Sequence, residues 1–141
     1  MITGIDHFVL TVASVEATLS FYERVLGMRR ELTQGRPASL HFGTQKINVH
    51  QIDRTFEPKA VRPTAGSADF CLITDQPLVA VIERLKTEGV AIEVGPVERN
   101  GARGPMTSVY FRDPDGNLVE VSQYHDDVNT SAAAQPTGPA L

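Results

Sequence analysis

The chain has 141 residues, 41% of them hydrophobic and 21% charged, with a formal net charge of −4. That is enough apolar chain for one domain whose core needs no disulfide or structural metal. The acidic balance excludes nucleic acid as the main partner, because phosphate binding needs a basic surface.

Cys71 is the one cysteine, so no intrachain disulfide forms and a reducing compartment is expected. No apolar run is long enough to span a bilayer, and the N-terminus lacks the basic start of a signal peptide. The expectation is a soluble, cytoplasmic protein with no membrane partner.

The pattern from Gly4 to Val12 alternates as a strand. Ser14 then predicts an N-cap, with Val15, Leu19, Tyr22 and Leu26 on one helical face and Gly27 as the stop. Strand-like pieces follow at Met28 to Thr33, Ala38 to Phe42 and Lys46 to Ile52. Asp53 to Ala65, with Pro58 and Pro63, reads as a linker.

A second opening strand starts at Gly66. Asp75 is the expected cap of the next helix, Pro77 lies in its first turn, Leu78, Val81, Ile82 and Leu85 form its stripe, and Gly89 ends it. Strands are expected at Ala91 to Val94, Thr107 to Phe111 and Leu118 to Tyr124, with a loop over Gly95 to Met106. Asp113-Pro114-Asp115-Gly116 is a tight turn. The tail 126–141, rich in Ala, Thr, Pro and Gly, reads as disordered.

The chain is therefore written twice as βαβββ. Gly4 maps to Gly66, Phe8 to Phe70 and His7 to Asp69, while Ile47 to His50 maps to Asn117 to Glu120. The expected fold is α+β, a single domain over 1–125 made of modules 4–52 and 66–124 with linker 53–65. Neither half can bury both faces of its sheet alone, so the modules should form one concave mixed sheet or half-barrels, paired in a homodimer.

Strand parity places Phe8, Leu10, Val12, Ile47, Val49, Val119 and Val121 on the packed face. His7, His50, Asp69 and Glu120 then share the other face. Each alone reads as an ordinary polar residue. Four together on one face are costly unless compensated, and imidazole with carboxylate suits a divalent cation such as Zn, Ni, Mn, Co or Fe.

"DHFVLTV", "SFYERVLGM" and "YFRDPDGNLVEV" resemble the vicinal oxygen chelate superfamily of glyoxalases, bleomycin-resistance proteins, fosfomycin-resistance enzymes and extradiol dioxygenases. The resemblance covers about residues 4–124 and is nearest to a subgroup like glyoxalase domain-containing protein 5. It implies metal ligands on the first and last strands of each module, here His7, His50, Asp69 and Glu120. Glyoxalase I enzymes carry a carboxylate where His50 stands and a histidine where Asp69 stands. Asn100 stands roughly where fosfomycin enzymes use a lysine, which counts against fosfomycin transfer.

The resemblance also implies the activity. A metal-dependent lyase or isomerase of glyoxalase type would act on a small vicinal-oxygen substrate, such as a 2-oxoaldehyde adduct. Glu120, then Asp69, would carry the proton. One alternative is an Fe²⁺ ring-cleaving dioxygenase using His7, His50 and Glu120. Another is a metal-free drug-binding protein of bleomycin-resistance type.

His41, Ser108 and Tyr110 share the inward parity as candidate substrate contacts. Arg103, with Arg99, is a candidate cation on a lid formed by the loop Gly95 to Met106. Cys71 reads as a small buried filler.

Overall fold

The computed structural model describes residues 1–128. In chain order the elements are β1 His7–Val12, α1 Val15–Leu26, β2 Arg29–Glu31, β3 Ala38–Phe42, β4 Gln45–Gln51, β5 Asp69–Ile73, α2 Leu78–Thr87, β6 Val94–Gly101, β7 Gly104–Arg112 and β8 Leu118–Tyr124. This is βαβββ twice, with sheets ordered β1-β4-β3-β2 and β5-β8-β7-β6. Among the described residues two compact units result, one of Met1–Asp69 with Arg112–Leu118, the other of Phe70–Phe111 with 119–128.

In the first unit β1 runs parallel to β4, and β3 is antiparallel to both β4 and β2. Ser14 Oγ accepts from the backbone N–H of Ala17 at 3.2 Å, capping α1 as its sequence asks. Gly27 closes the helix at φ 68°, a left-handed conformation that suits a residue without Cβ. α1 buries Thr18, Leu19, Phe21, Tyr22 and Val25. The stripe is thus turned slightly from the expected one, and Val15 and Leu26 sit at its margins. Leu10, Val12, Leu40, Ile47 and Val49 fill the core beneath it, each at most 2% exposed.

The turn Asp113 to Asn117 belongs to this unit and does more than reverse the chain. Asp113 is buried and accepts from Tyr22 Oη at 2.8 Å, Asn117 Nδ2 at 2.8 Å, and the backbone N–H groups of Asp115 and Asn117 at 3.0 Å. Asn117 Oδ1 accepts from the N–H of Ala68 at 2.9 Å, and Asp115 Oδ1 from that of Ala13 at 3.0 Å. Gly66, at φ 81°, lets the chain pass 2.6 Å from the Asp115 carbonyl where a Cβ would stand. Burial and Asp113 together push the Tyr22 phenol far above its ordinary value.

In the second unit Val109, Phe111, Val119 and Val121 are buried with Leu78 and Leu85 of α2. The expected cap of α2 is corrected. Pro77 holds the N-cap without a side-chain bond, and Gln123 Oε1 supplies the acceptor for the N–H of Leu78 at 3.0 Å. Gln51 Oε1 stands in the same relation to Val15 N–H of α1, at 3.5 Å.

The expected lid over Gly95 to Met106 is also corrected. Residues 94–101 and 104–112 are strands of a hairpin, with Val97 opposite Ser108 and Arg99 opposite Met106. The alternation that marks a strand is broken by a bulge between Val94 and Val97. Gly95 sits there at φ 112°, with a Cβ position only 2.5 Å from the Ser108 carbonyl.

Residues 125–128 form a helical turn. The rest of the tail expected to be disordered lies outside the described residues. Among the described residues, no helix is long and apolar enough to cross a membrane.

Candidate metal and substrate site

Glu120 projects from β8 on the face opposite buried Val119 and Val121. Ser108 Oγ donates to its Oε2 at 2.7 Å and Ser122 Oγ at 3.1 Å. The two hydroxyls lie 2.6 Å apart, and Ser122 Oγ is 3.1 Å from Cys71 Sγ. Ser108 and Ser122 are fully buried. They hold one carboxylate oxygen and leave the other without a serine partner. Hydroxyls that orient a carboxylate this way are the usual support of a ligating acid.

Tyr110 lies beside Glu120, and its Oη accepts from Arg99 Nε at 3.0 Å, with the guanidinium carbon 5.4 Å from the ring centre. Burial pushes the Tyr110 phenol above its ordinary value; Arg99 opposes this and Glu120 adds to it. Arg103 is elsewhere. Its backbone N–H donates to Tyr124 Oη at 3.1 Å, its guanidinium carbon stands 4.1 Å from the Tyr124 ring centre, and its Nη2 pairs with Asp127 at 3.5 Å. Arg99, not Arg103, is the cation beside the Glu120 cluster.

Cys71 is exposed rather than a buried filler. Desolvation of its sulfur and the Glu120 charge hold the thiol above its ordinary range, with Ser122 opposing. That is the wrong direction for a nucleophile.

In the first unit His7 Nδ1 is 2.7 Å from Asp6 Oδ2. An Nδ1–H donating to a carboxylate leaves Nε2 with the lone pair a metal accepts. The bond to His7 in turn holds the Asp6 carboxyl below its usual range. Asp69 is exposed at the first position of β5.

His50 is not brought to His7. The register of β1 on β4 pairs His7 with Lys46 and Thr11 with His50. Four residues at about 3.3 Å each put the two histidines ~13 Å apart along the sheet. Two imidazoles rising from one face cannot close that gap onto a single ion, whose nitrogens sit about 2 Å from it.

The backbone explains the error in matching His50 to Glu120. Lys46 N–H bonds the carbonyl of Asp6, just before His7, and Leu118 N–H bonds that of Ala68, just before Asp69. Lys46 is therefore the counterpart of Leu118, Asn48 of Glu120, and His50 of Ser122. The capping glutamines Gln51 and Gln123 fall on the same alignment.

His50 is instead buried at 4% exposure, and its Nδ1 is buried without a hydrogen-bond partner. Burial, reinforced by Lys59, holds its pKa below the ordinary histidine value. His41 lies in the same cross-strand row as His7 and Lys46, with Nε2 3.0 Å from Ser39 Oγ and 3.4 Å from Glu31. Among the described residues, no three of His, Cys, Asp and Glu converge to hold a metal.

Sequence reasoning passed over Ser122, Asn48 and the linker side chains Lys59 and Arg62. Ser122 shares the parity of Glu120, which was a usable signal.

Comparison with known proteins agrees with this plan. Virulence protein STM3117 of Salmonella typhimurium is 52% identical over 124 residues, 88% of this chain and 86% of that protein. Its crystal structure superposes with a TM-score of 0.85, covering 88% of this chain and 98% of that one. Glyoxalase domain-containing protein RDO1 of Mycosarcoma maydis is 44% identical over 126 residues, 89% of this chain and 70% of that protein. Metallothiol transferase FosB of Shouchella clausii is 30% identical over 122 residues, 86% and 80% of the respective chains. With residues 4–121 matching its profile, the chain belongs to the Glyoxalase/Bleomycin resistance protein/Dioxygenase superfamily.

Proposed function

We propose that this chain is a metal-dependent lyase or isomerase of glyoxalase type, acting on a small carbonyl substrate with vicinal oxygens. His7, Asp69 and Glu120 would hold the divalent cation, and His50 stands outside the set. The observation that carries the reading is Glu120, a carboxylate with one oxygen held by two buried hydroxyls. The Asp6–His7 pair is the matching support on the nitrogen side. The name of the FosB relative, a metallothiol transferase, adds support for a metal.

A cation bound there supplies Lewis acidity toward two adjacent substrate oxygens. The chain's own residues do the rest. Ser108 and Ser122 fix Glu120 Oε2, so Oε1 is the oxygen that takes a proton from the carbon next to the carbonyl and returns it to the neighbouring carbon. Asp69 is the second carrier. Tyr110 and Arg99 flank this path and orient the substrate.

The ring-cleaving reading needs His7 and His50 on one iron with a carboxylate. The β1–β4 register disfavours it.

We also propose that the site is completed between two copies, with His7 of one subunit joining Asp69 and Glu120 of the other. Val9 on the His7 face, Ile73 on the Asp69 face, and Val94, whose register partner is Tyr110, are exposed at 45%, 49% and 41%. Apolar residues beside polar ligands suit faces that a partner covers.

The test is metal content after supplementation with Zn, Ni, Co, Mn or Fe. His7→Ala and Glu120→Ala should each lose stoichiometric metal, while His50→Ala should keep it. A Glu120→Ala chain that holds metal as tightly as the parent would overturn the reading.

A further inference from the structure

Within the first unit, the linker folds over the β1–β4 face and leaves a cleft of about 150 Å³. Val9, Thr11 and His50 line it from the strands, and Lys59, Arg62, Thr64 and Ser67 from the linker. No carboxylate is among the lining residues. The Thr64 hydroxyl donates to the Arg62 carbonyl at 3.1 Å and the Ser67 hydroxyl to the Thr64 carbonyl at 3.0 Å, so both protons are spent on shaping the linker. Three nitrogen groups remain.

Lys59 Nζ donates to Thr55 at 2.9 Å and pairs with Glu57 at 3.1 Å, which leaves one of its protons. Arg62 is exposed and in no ion pair among the described residues. His50 is nine-tenths buried with an unpartnered Nδ1, and the Phe56 ring lies against it with centres 5.4 Å apart. Arg62, with no acid paired to it among the described residues, and Lys59, whose charge is shared with Glu57, make the cleft favour a negative ligand.

We infer that this cleft binds a small oxyanion, a carboxylate or a phosphate group, through Arg62, Lys59 and His50. A ligand oxygen accepts from the His50 ring edge that borders the cleft, while Arg62 supplies the charge and Lys59 its remaining proton. A volume of this size takes a small anion or one anionic end of a longer molecule, against about 30 Å³ for each water it displaces. None of His7, Asp69 and Glu120 lines the cleft, so the failure of this inference and that of the metal proposal are distinguishable.

The test is a titration of the full chain with sodium acetate and, separately, inorganic phosphate, with sodium chloride at matched ionic strength as control. The His50 ring resonances are followed by NMR. Saturable movement with an oxyanion and none with chloride is expected. A response to acetate identifies a carboxylate site, and one to phosphate alone identifies a phosphate site. Arg62→Ala, an exposed change that leaves the fold intact, should weaken binding at least about tenfold. His50→Phe, followed by calorimetry, should abolish it. The inference is overturned if neither anion produces a saturable shift, or if the Arg62→Ala chain binds as tightly as the parent.

Discussion

On the faces opposite their buried valines, β4 and β8 carry opposite chemistry. The first sheet presents His7, His41, Lys46 and His50, with Lys59 and Arg62 at its cleft. The second presents Asp69 and Glu120, backed by Ser108, Ser122 and Tyr110. Imidazoles and amines are prominent on the first, carboxylates and hydroxyls on the second. The support differs as well. Glu120 has two hydroxyls on one oxygen, whereas His50 has a buried nitrogen with nothing on it. A repeated plan thus carries different chemistry in its two copies.

The largest effect should come from removing the proposed ligands on separate chains. A His7→Ala chain and a Glu120→Ala chain should each be empty of metal and inactive. Mixed as a verified heterodimer, they should regain about half the parental metal and activity, because one of two shared sites is wholly intact. No recovery would remove the shared site and leave the ligand assignment standing.

Stability offers the next break. The first unit is tied by Asp113, and the equivalent turn of the first repeat, around Gly43 and Thr44, has no such buried acid. Asp113→Ala removes the acceptor of four hydrogen bonds, two from side chains and two from backbone. It should cost about 3–5 kcal/mol. Tyr22→Phe removes one of them and should cost about 1–2 kcal/mol. Denaturant titration checks both. An Asp113→Ala loss no larger than that of Tyr22→Phe would mean that the turn does not lock the unit.

The fold was legible because its signals are local. Ser14, Gly27 and Gly89 bound the helices, and the alternation in β4 and β8 gives the faces correctly. Position along the strand was not legible from alternation. A slip of two residues keeps every side chain on its face while moving it about 7 Å. This is how His50 came to be set against Glu120 in place of Ser122. The turn Asp113 to Asn117 is longer than the turn at Gly43 and Thr44, so aligning the hairpins misaligns the strands after them. The glutamines would have corrected it, since Gln51 and Gln123 do the same job at two helix starts. Glycine and proline in Gly95 to Met106 read as loop, yet they serve a bulge and a hairpin. The partners of Asp113 and the cleft under the linker come from contacts distant in sequence, which no local pattern reports.

A finer contrast lies in the groups behind the proposed ligands. Ser108 is buried and holds Glu120, whereas Asp6 is exposed and holds His7. Ser108→Ala should weaken metal affinity by about 10- to 100-fold with the fold retained. Asp6→Ala should weaken it less, because a solvated carboxylate is readily replaced by water. Competition with a chelator measures both. Equal losses would mean that burial does not strengthen the support.

The smallest effect concerns His50 itself. In the unfolded chain its imidazole titrates near the ordinary value of about 6.5. In the folded chain, burial and then Lys59 lower it. As pH falls through about 6.5, the unfolded state takes up a proton that the folded state refuses. His50 therefore lowers stability below that pH, and the loss stops growing only beneath the folded value. The slope from this one group is at most about 1.4 kcal/mol per pH unit. His50→Phe keeps a ring beside Phe56 and removes the proton. Urea midpoints of the two proteins should differ little near about pH 8, and the Phe variant should gain steadily as pH is lowered toward about 5. Contributions common to both proteins cancel in the difference. A gap that stays flat across that range would mean that the imidazole is not desolvated in solution, and the contrast with the hydroxyl-supported Glu120 would lose its physical basis.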